Sequence, residues 1–139
     1  CEWEKAARYP DGRLFPWGNE WDPTRLNWGE SGINRTSAVG MFPNGANEAH
    51  GACDLIGNVW EWCLDTYRSD YYSKSPAVNP KGPGKIVCND CVVIRGGSWS
   101  AKENYLRSSA RYSALKFNSG GHIGFRMVVE IKNKQDNSQ

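Results

Sequence analysis

Asp54-Leu55-Ile56-Gly57-Asn58-Val59-Trp60-Glu61-Trp62-Cys63 is the stretch on which the reading of this chain turns. A Gly-Asn pair forms a turn, and the residues after it carry the aromatic content of a strand. Successive side chains of a strand point to opposite faces, so Trp60 and Trp62 share one face while Val59 and Glu61 share the other. One of these faces must be core. Downstream, Val92-Val93-Ile94-Arg95-Gly96-Gly97-Ser98-Trp99 is a β-branched strand that ends on a glycine pair, which signals close backbone approach. A last strand is expected over Gly124-Phe125-Arg126-Met127-Val128-Val129-Glu130-Ile131. Strands are therefore placed around Trp60, Val93 and Val128, with Trp60, Trp62, Trp99 and Phe125 turned inward.

Upstream, Cys1-Glu2-Trp3-Glu4-Lys5-Ala6-Ala7-Arg8 reads as the inside of a helix with no start signal before it, so the natural N-terminus is expected to lie further upstream. Pro10-Asp11-Gly12-Arg13 is a turn, and Phe15 and Trp17 stand between chain breakers as structural rings. Residues 21–47 follow neither the helical nor the strand period and are read as ordered loop, anchored by Trp21, Trp28, Val39, Met41 and Phe42. Residues 68–85 read as a surface loop. Residues 100–122 also lack a period, and function is expected in that insertion because loops held by strands can change side chains without disturbing the core.

Composition agrees with one loop-rich domain: 139 residues with 7 Trp and 15 Gly against 2 Met describe a body held by aromatics. Seventeen basic and 15 acidic residues give a net charge of +2, without the positive field that phosphate-driven nucleic-acid binding needs. No apolar run approaches the length of a membrane span. Five cysteines cannot all pair with one another, so bacterial cytoplasm and cell surface both stay open as compartments. Cys88-Asn89-Asp90-Cys91 has CxxC spacing but lacks the second ligand pair that structural zinc requires; a local disulfide or two thiols is the expectation.

The ordered series EWEKAAR (2–8), PWGNEW (16–21), GNVWEWC (57–63), RGGSW (95–99) and GFR (124–126) resembles the formylglycine-generating enzyme (FGE) sulfatase family. The resemblance implies an α+β fold of the C-type lectin-like, FGE type, with little regular secondary structure, short antiparallel strands and long ordered loops. It implies that residues 1–131 are the C-terminal half of such a domain, partnered by an N-terminal part of the same domain or protein, with 132–139 as a polar tail. FGE enzymes oxidise a sulfatase cysteine with copper held by two cysteines shortly after the GGS motif. Ala101 and Leu106 stand at those places, and neither supplies the thiolate that Cu(I) requires, so no copper is expected. A related branch, the iron-dependent sulfoxide synthases, uses a histidine triad from a separate helical domain. Only His50 and His122 occur here, and both are read as loop side chains making local hydrogen bonds.

A third branch consists of non-catalytic binders, the variable proteins of diversity-generating retroelements, whose mutated AAC codons cannot encode Lys, Glu, Gln, Met or Trp. In Tyr112-Ser113-Ala114-Leu115-Lys116-Phe117-Asn118-Ser119-Gly120-Gly121 every residue but Lys116 is attainable from such a codon. The expected role is thus a ligand- or protein-binding domain, with an oxidase or sulfoxide-synthase domain as the alternative. The expected contact residues are Ser100, Ala101, Asn104, Tyr105, Tyr112, Ser113, Leu115, Phe117, Asn118 and His122, a mixture of rigid rings and adaptable polar groups. Arg107 and Arg111 are expected to brace the loop. Calcium is the one cofactor the resemblance implies, held at the turn by Ile56, Gly57, Asn58, Val59 and Glu61; the alternative at that turn is an Asn58 that caps its own backbone. A second calcium site near Asn27 lacks its acid, since Ser31 stands there.

Overall fold

The computed structural model describes residues 1–84 and 90–129 of the chain. Regular structure is sparse: helix α1 (Glu2–Arg8), strands β1 (Trp60–Thr66), β2 (Cys91–Arg95), β3 (Tyr112–Leu115) and β4 (Ile123–Gly124), and isolated 3-10 turns. The strands form one sheet in the order β3-β2-β1-β4. β2 runs antiparallel to β1, with Trp62 opposite Ile94, and antiparallel to β3, with Val92 opposite Ala114. β4 pairs with β1 in parallel through Trp60 and Ile123, where antiparallel pairing was expected throughout.

Several sequence expectations need correction. The segment 100–122 contains β3 and a 3-10 turn at Glu103–Tyr105, so it is not wholly irregular. Conversely, the last strand stops at Gly124, and Phe125, Met127, Val128 and Val129 are 73%, 85%, 76% and 80% exposed. A run of β-branched residues states what a segment can do; a strand also needs a neighbour to pair with, and residues 125–129 have none among the described residues. Val39 and Met41 are likewise exposed and do not anchor their loop, whereas Trp28 is buried.

Helix α1 has only seven residues, too few to be stable by itself. Its charges favour it, with Glu2 and Glu4 in the first turn, Lys5 and Arg8 in the last, and a Glu4–Arg8 pair at 2.9 Å. Tertiary contacts fix it. Trp3 Nε1 donates to Glu61 Oε2 at 2.6 Å, Asn47 Nδ2 donates to the carbonyls of Ala6 and Tyr9, and Ala7 is fully buried. Arg95, 3% exposed, donates to Glu4 at 2.9 Å, to the Tyr72 hydroxyl at 2.7 Å and to the carbonyls of Ser109 and Ala110. A buried charge with that many partners avoids the desolvation penalty of an isolated one.

The core is made largely by loops: Phe15, Leu26, Trp28, Ile56, Ala101 and Leu106 pack together, with Trp3, Trp17, Trp21 and Tyr105 at the margin. The Gly57-Asn58 turn stitches these loops to the sheet. Gly57 N donates to Gly96 O, Asn58 N to Asn27 O and Trp99 N to Asn58 O, each at 2.8 Å. Gly57 has φ of 80°, and a Cβ there would lie 2.5 Å from Asn27 O, so glycine is required for conformation and for space. The close approach expected at the RGG glycines is present: a Cβ on Gly96 would lie 2.9 Å from Leu55 O.

The strand phase is reversed from expectation. Glu61, 5% exposed, points inward, while Trp60 and Trp62 are half-buried on the other side. Trp99 is half-buried and Phe125 exposed. The inward acid is tolerated because donors wait for it inside, as described below.

Candidate functional site

Residues 100–122 leave the core and return to it at fixed points. Near the start, Gly29 N donates to Ala101 O at 2.9 Å and Ser108 N to Leu14 O at 2.8 Å. At the end, Trp60 N donates to His122 O at 2.8 Å and the Trp99 indole to Gly121 O at 3.2 Å. Between these anchors β3 forms one border of the sheet.

The candidate contact residues divide into three groups. Ser100, Asn104, Tyr112, Ser113, Leu115, Phe117 and Asn118 are exposed, and Tyr105 and His122 are half-buried. Ala101 is a correction: at 8% exposure it belongs to the core cluster, so its side chain faces Leu106 and its neighbours rather than a ligand. The exposed members concentrate on β3 and the residues just after it.

A ring cluster links this surface to the sheet. Tyr112 lies 4.9 Å from Tyr105 and 5.3 Å from Trp60, centroid to centroid, and Trp60 lies 6.4 Å from Tyr105. The rings touch edge to face or tilted, the favourable arrangements for aromatic pairs. They support one another and leave no open cage. Trp60 was assigned to the core by sequence and is the residue that reading missed; an inward Glu61 would have moved it outward, but no local signal revealed that the acid had partners. Phe117, 66% exposed, lies under the Lys116 ammonium at 5.3 Å, and Lys116 is ion-paired to Asp90. Arg111 braces the segment as expected: its guanidinium donates to Arg68 O at 2.6 Å and covers the rings of Tyr67 and Tyr72 at 5.0 and 4.4 Å.

Ala101 and Leu106 stand at the places that the resemblance gives to copper cysteines, and both are filled by packing. Leu106 is 0% exposed and sits with Ala101 among Phe15, Leu26, Trp28 and Ile56. Cys1, Cys53 and Cys63 are free thiols, and burial pushes the Cys63 thiol above its usual range, away from thiolate character. Cys91 is disulfide-bonded, while Cys88 of the CxxC lies outside the described residues. Among the described residues no group of three or more His, Cys, Asp or Glu side chains converges on a point. His50 accepts the local hydrogen bond expected of it, from Ala52 N at 3.3 Å, and also reaches Ala6 O at 2.9 Å, 44 positions away, which local reading did not foresee.

The turn that the resemblance gives to calcium is densely bonded within the chain. Ile56, Gly57, Asn58 and Val59 form the turn that leads into β1, where Glu61 lies, and Glu61 is the one acid of these five. Arg126 Nε donates to Glu61 Oε2 at 2.7 Å, Arg126 Nη2 to Oε1 at 2.5 Å, and the Trp3 indole also donates to Oε2. Burial works against the Arg126 charge, but the hydrogen bonds to Glu61 together with the negative charges of Glu61 and Asp54 outweigh it, raising its pKa above the ordinary guanidinium value. Asn58 does not cap itself: its amide holds Ser37, accepting from Ser37 N at 3.0 Å and donating to Ser37 O at 3.3 Å. The Glu61 carboxylate, the acid that the resemblance gives to calcium, is thus paired with Arg126. At Asn27, the side chain is taken by Ser31, Ser37 and the Arg35 carbonyl.

With this geometry in hand, comparison places the chain in a family. Residues 1–131 match the FGE-sulfatase family, described as the sulfatase-modifying factor enzyme 1-like domain, and the chain belongs to it. It is 38% identical to a formylglycine-generating enzyme of Streptomyces coelicolor over 91% of this chain and 44% of that protein. It is 33% identical to the inactive C-alpha-formylglycine-generating enzyme 2 of Mus musculus over 90% of this chain and 40% of that protein. Among solved structures it resembles Treponema denticola variable protein 1, with a TM-score of 0.75 and 25% identity over 89% of this chain and 43% of that one. The chain thus spans less than half the length of these relatives, on the α+β fold that the sequence motifs implied.

Proposed function

We propose that this chain is the C-terminal half of a non-catalytic binding domain, which presents Tyr112, Ser113, Leu115, Phe117 and Asn118 to a protein or small-molecule ligand in the manner of a retroelement variable protein. The observation that carries this reading is the division within residues 100–122. Ala101, Leu106 and Ser108 are buried, so the places of the copper thiolates serve packing, while the stretch attainable from mutated AAC codons stands exposed on β3 and after it. Trp60 and Tyr105, against which Tyr112 packs, give that surface a stiff base, and stiffness lowers the entropy lost on binding. The likeness to variable protein 1 supports the same reading. The near-neutral charge makes nucleic acid a poor candidate for the ligand.

Randomising positions 112, 113, 115, 117, 118 and 119 in a displayed library tests this proposal. Most members are expected to keep the parent's melting temperature, and selection against an arbitrary protein target is expected to yield binders; general unfolding of the library would overturn it. In the coding DNA, a near-copy of the segment for residues 99–126 that differs only at adenines is expected beside a reverse transcriptase gene.

The enzyme reading is favoured by one observation, the 38% identity to an enzyme. It predicts that the full-length protein loaded with copper converts a sulfatase-type cysteine peptide to formylglycine. Mass spectrometry of the peptide decides, and no conversion is expected.

A further inference from the structure

The sheet ends on one side in β3, and the register of that strand fixes which way its backbone groups point. Lys116 N donates to Asp90 O at 2.8 Å, one step beyond the paired residues Cys91 and Leu115, Val92 and Ala114, Val93 and Ser113, and Ile94 and Tyr112. Hydrogen-bonded and non-bonded pairs alternate along an antiparallel ladder, so Tyr112 and Ala114 turn their N–H and C=O toward β2, while those of Ser113 and Leu115 point away from it. Leu115 O meets Asn118 N at 2.8 Å in the turn that follows. Three groups then line the outer border without a protein partner among the described residues: the Ser113 N–H, the Ser113 C=O and the Leu115 N–H.

Exposed sheet borders are ordinarily blunted by proline, by charge, by a bulge or by extreme shortness. The opposite border, β4, is only two residues long. β3 is not blunted in any of these ways. Tyr112-Ser113-Ala114-Leu115 contains neither proline nor charge, its pairing with β2 runs without a bulge, and the adjoining Lys116 is tied to Asp90.

We propose that β3 takes its ligand by strand addition, and that the partner is a polypeptide segment in extended conformation lying along residues 112–115. The inference rests on the binding function proposed above and names the class of its partner, since an extended peptide offers N–H and C=O groups at the spacing this border requires. Main-chain bonds give affinity in this mode and side-chain contacts give specificity. Such a division suits a surface whose side chains vary, because the backbone groups stay the same whatever residue other than proline stands at 113 or 115. Alternation sets Tyr112, backed by Trp60 and Tyr105, beside one face of the added strand, and Ser113 and Leu115 beside the other.

Hydrogen exchange of single amides, followed by NMR on the full chain, tests the geometry. The Tyr112, Ala114 and Lys116 amides should be protected while those of Ser113 and Leu115 exchange freely; the opposite alternation would overturn the proposal. Short linear peptides displayed on phage are then selected against the full chain, and a selected peptide is expected to protect the Ser113 and Leu115 amides. Ser113→Pro removes an outward N–H and leaves the ladder intact, so it should weaken that peptide at least about tenfold more than Ser113→Ala does. Should Ser113→Pro fail to fold, Leu115→Pro and the exchange measurement on native protein carry the same decision. Peptides lost on Tyr112→Ala or Phe117→Ala that leave both amides exchanging freely would overturn strand addition and leave the binding function standing. Binders from the randomised surface without any peptide from the native one would also overturn it, and failure of both selections would remove the binding function as well.

Discussion

Trp60 and Glu61 are neighbours in β1 and belong to opposite halves of the molecule. Glu61 looks inward, to Trp3 and Arg126, into a region where every buried side-chain nitrogen and oxygen among the described residues has a partner. Trp60 looks outward, to Tyr105 and Tyr112, beside a row of exposed side chains that have few fixed partners. The inward half resists substitution because each polar group there would strand another. The outward half tolerates it because its side chains end in solvent. A single strand's alternation thus separates the part that must be kept from the part that can vary.

The comparison breaks if the inward half proves tolerant, and Arg95 is the place to try. Arg95→Ala should cost about 3–5 kcal/mol, since it leaves Glu4 facing an empty buried site; a loss below about 1 kcal/mol in urea unfolding would mean that the buried network does not hold α1. Leu106→Ala should cost about 2–5 kcal/mol through the cavity it leaves, measured in the same way. The outward half should answer differently. Tyr112, Phe117 and Asn118 replaced together by Ala should lower the melting temperature by only a few degrees, because exposed substitutions rarely exceed about 0.5 kcal/mol each. Including Tyr105→Ala should cost visibly more, for that ring also touches the core.

The smallest expected effect sharpens the contrast by pH. Hydrogen bonds from Arg68 and then from Lys74 hold the Asp70 carboxyl well below the usual carboxylate range. A folded-state value below the unfolded one means stability that is present above roughly pH 4 and is lost as pH falls through the folded value. Asp70→Asn should therefore flatten the acid limb of the melting curve while changing the neutral melting temperature little, because exposed pairs contribute little. A large neutral effect would place Asp70 with the inward half.

Much of the fold was legible because its signals are local or ordered along the chain. The GNVWEW turn, the RGG close approach and the helix at residues 2–8 each follow from residue types whose backbone needs are specific. Three features were not legible, and each depends on a distant partner. The inward phase of Glu61 requires Arg126, the strand at 112–115 requires β2 as its neighbour, and the end of β4 at Gly124 reflects pairing that stops rather than sequence that changes. The exposed placement of Tyr112, Phe117 and Asn118 agrees with what codon logic and loop composition led one to expect. Trp60 was missed because alternation gives a strand's two faces without naming which one is wet.

The contacts that fix α1 also carry a temporal meaning. Glu4 meets Arg95 across 91 positions and Ala7 meets Ser108 across 101, so the first residues of this chain cannot settle until nearly the last strands exist. Contacts so distant in sequence slow folding, because the loop between them must close before the contact is formed. During synthesis α1 would wait, its marginal helix flickering, while the sheet that will hold it is still being made. Closure of the domain and completion of the exposed face on β3 are then the same late event, since Ser108 lies within the segment that carries Tyr105 and Tyr112.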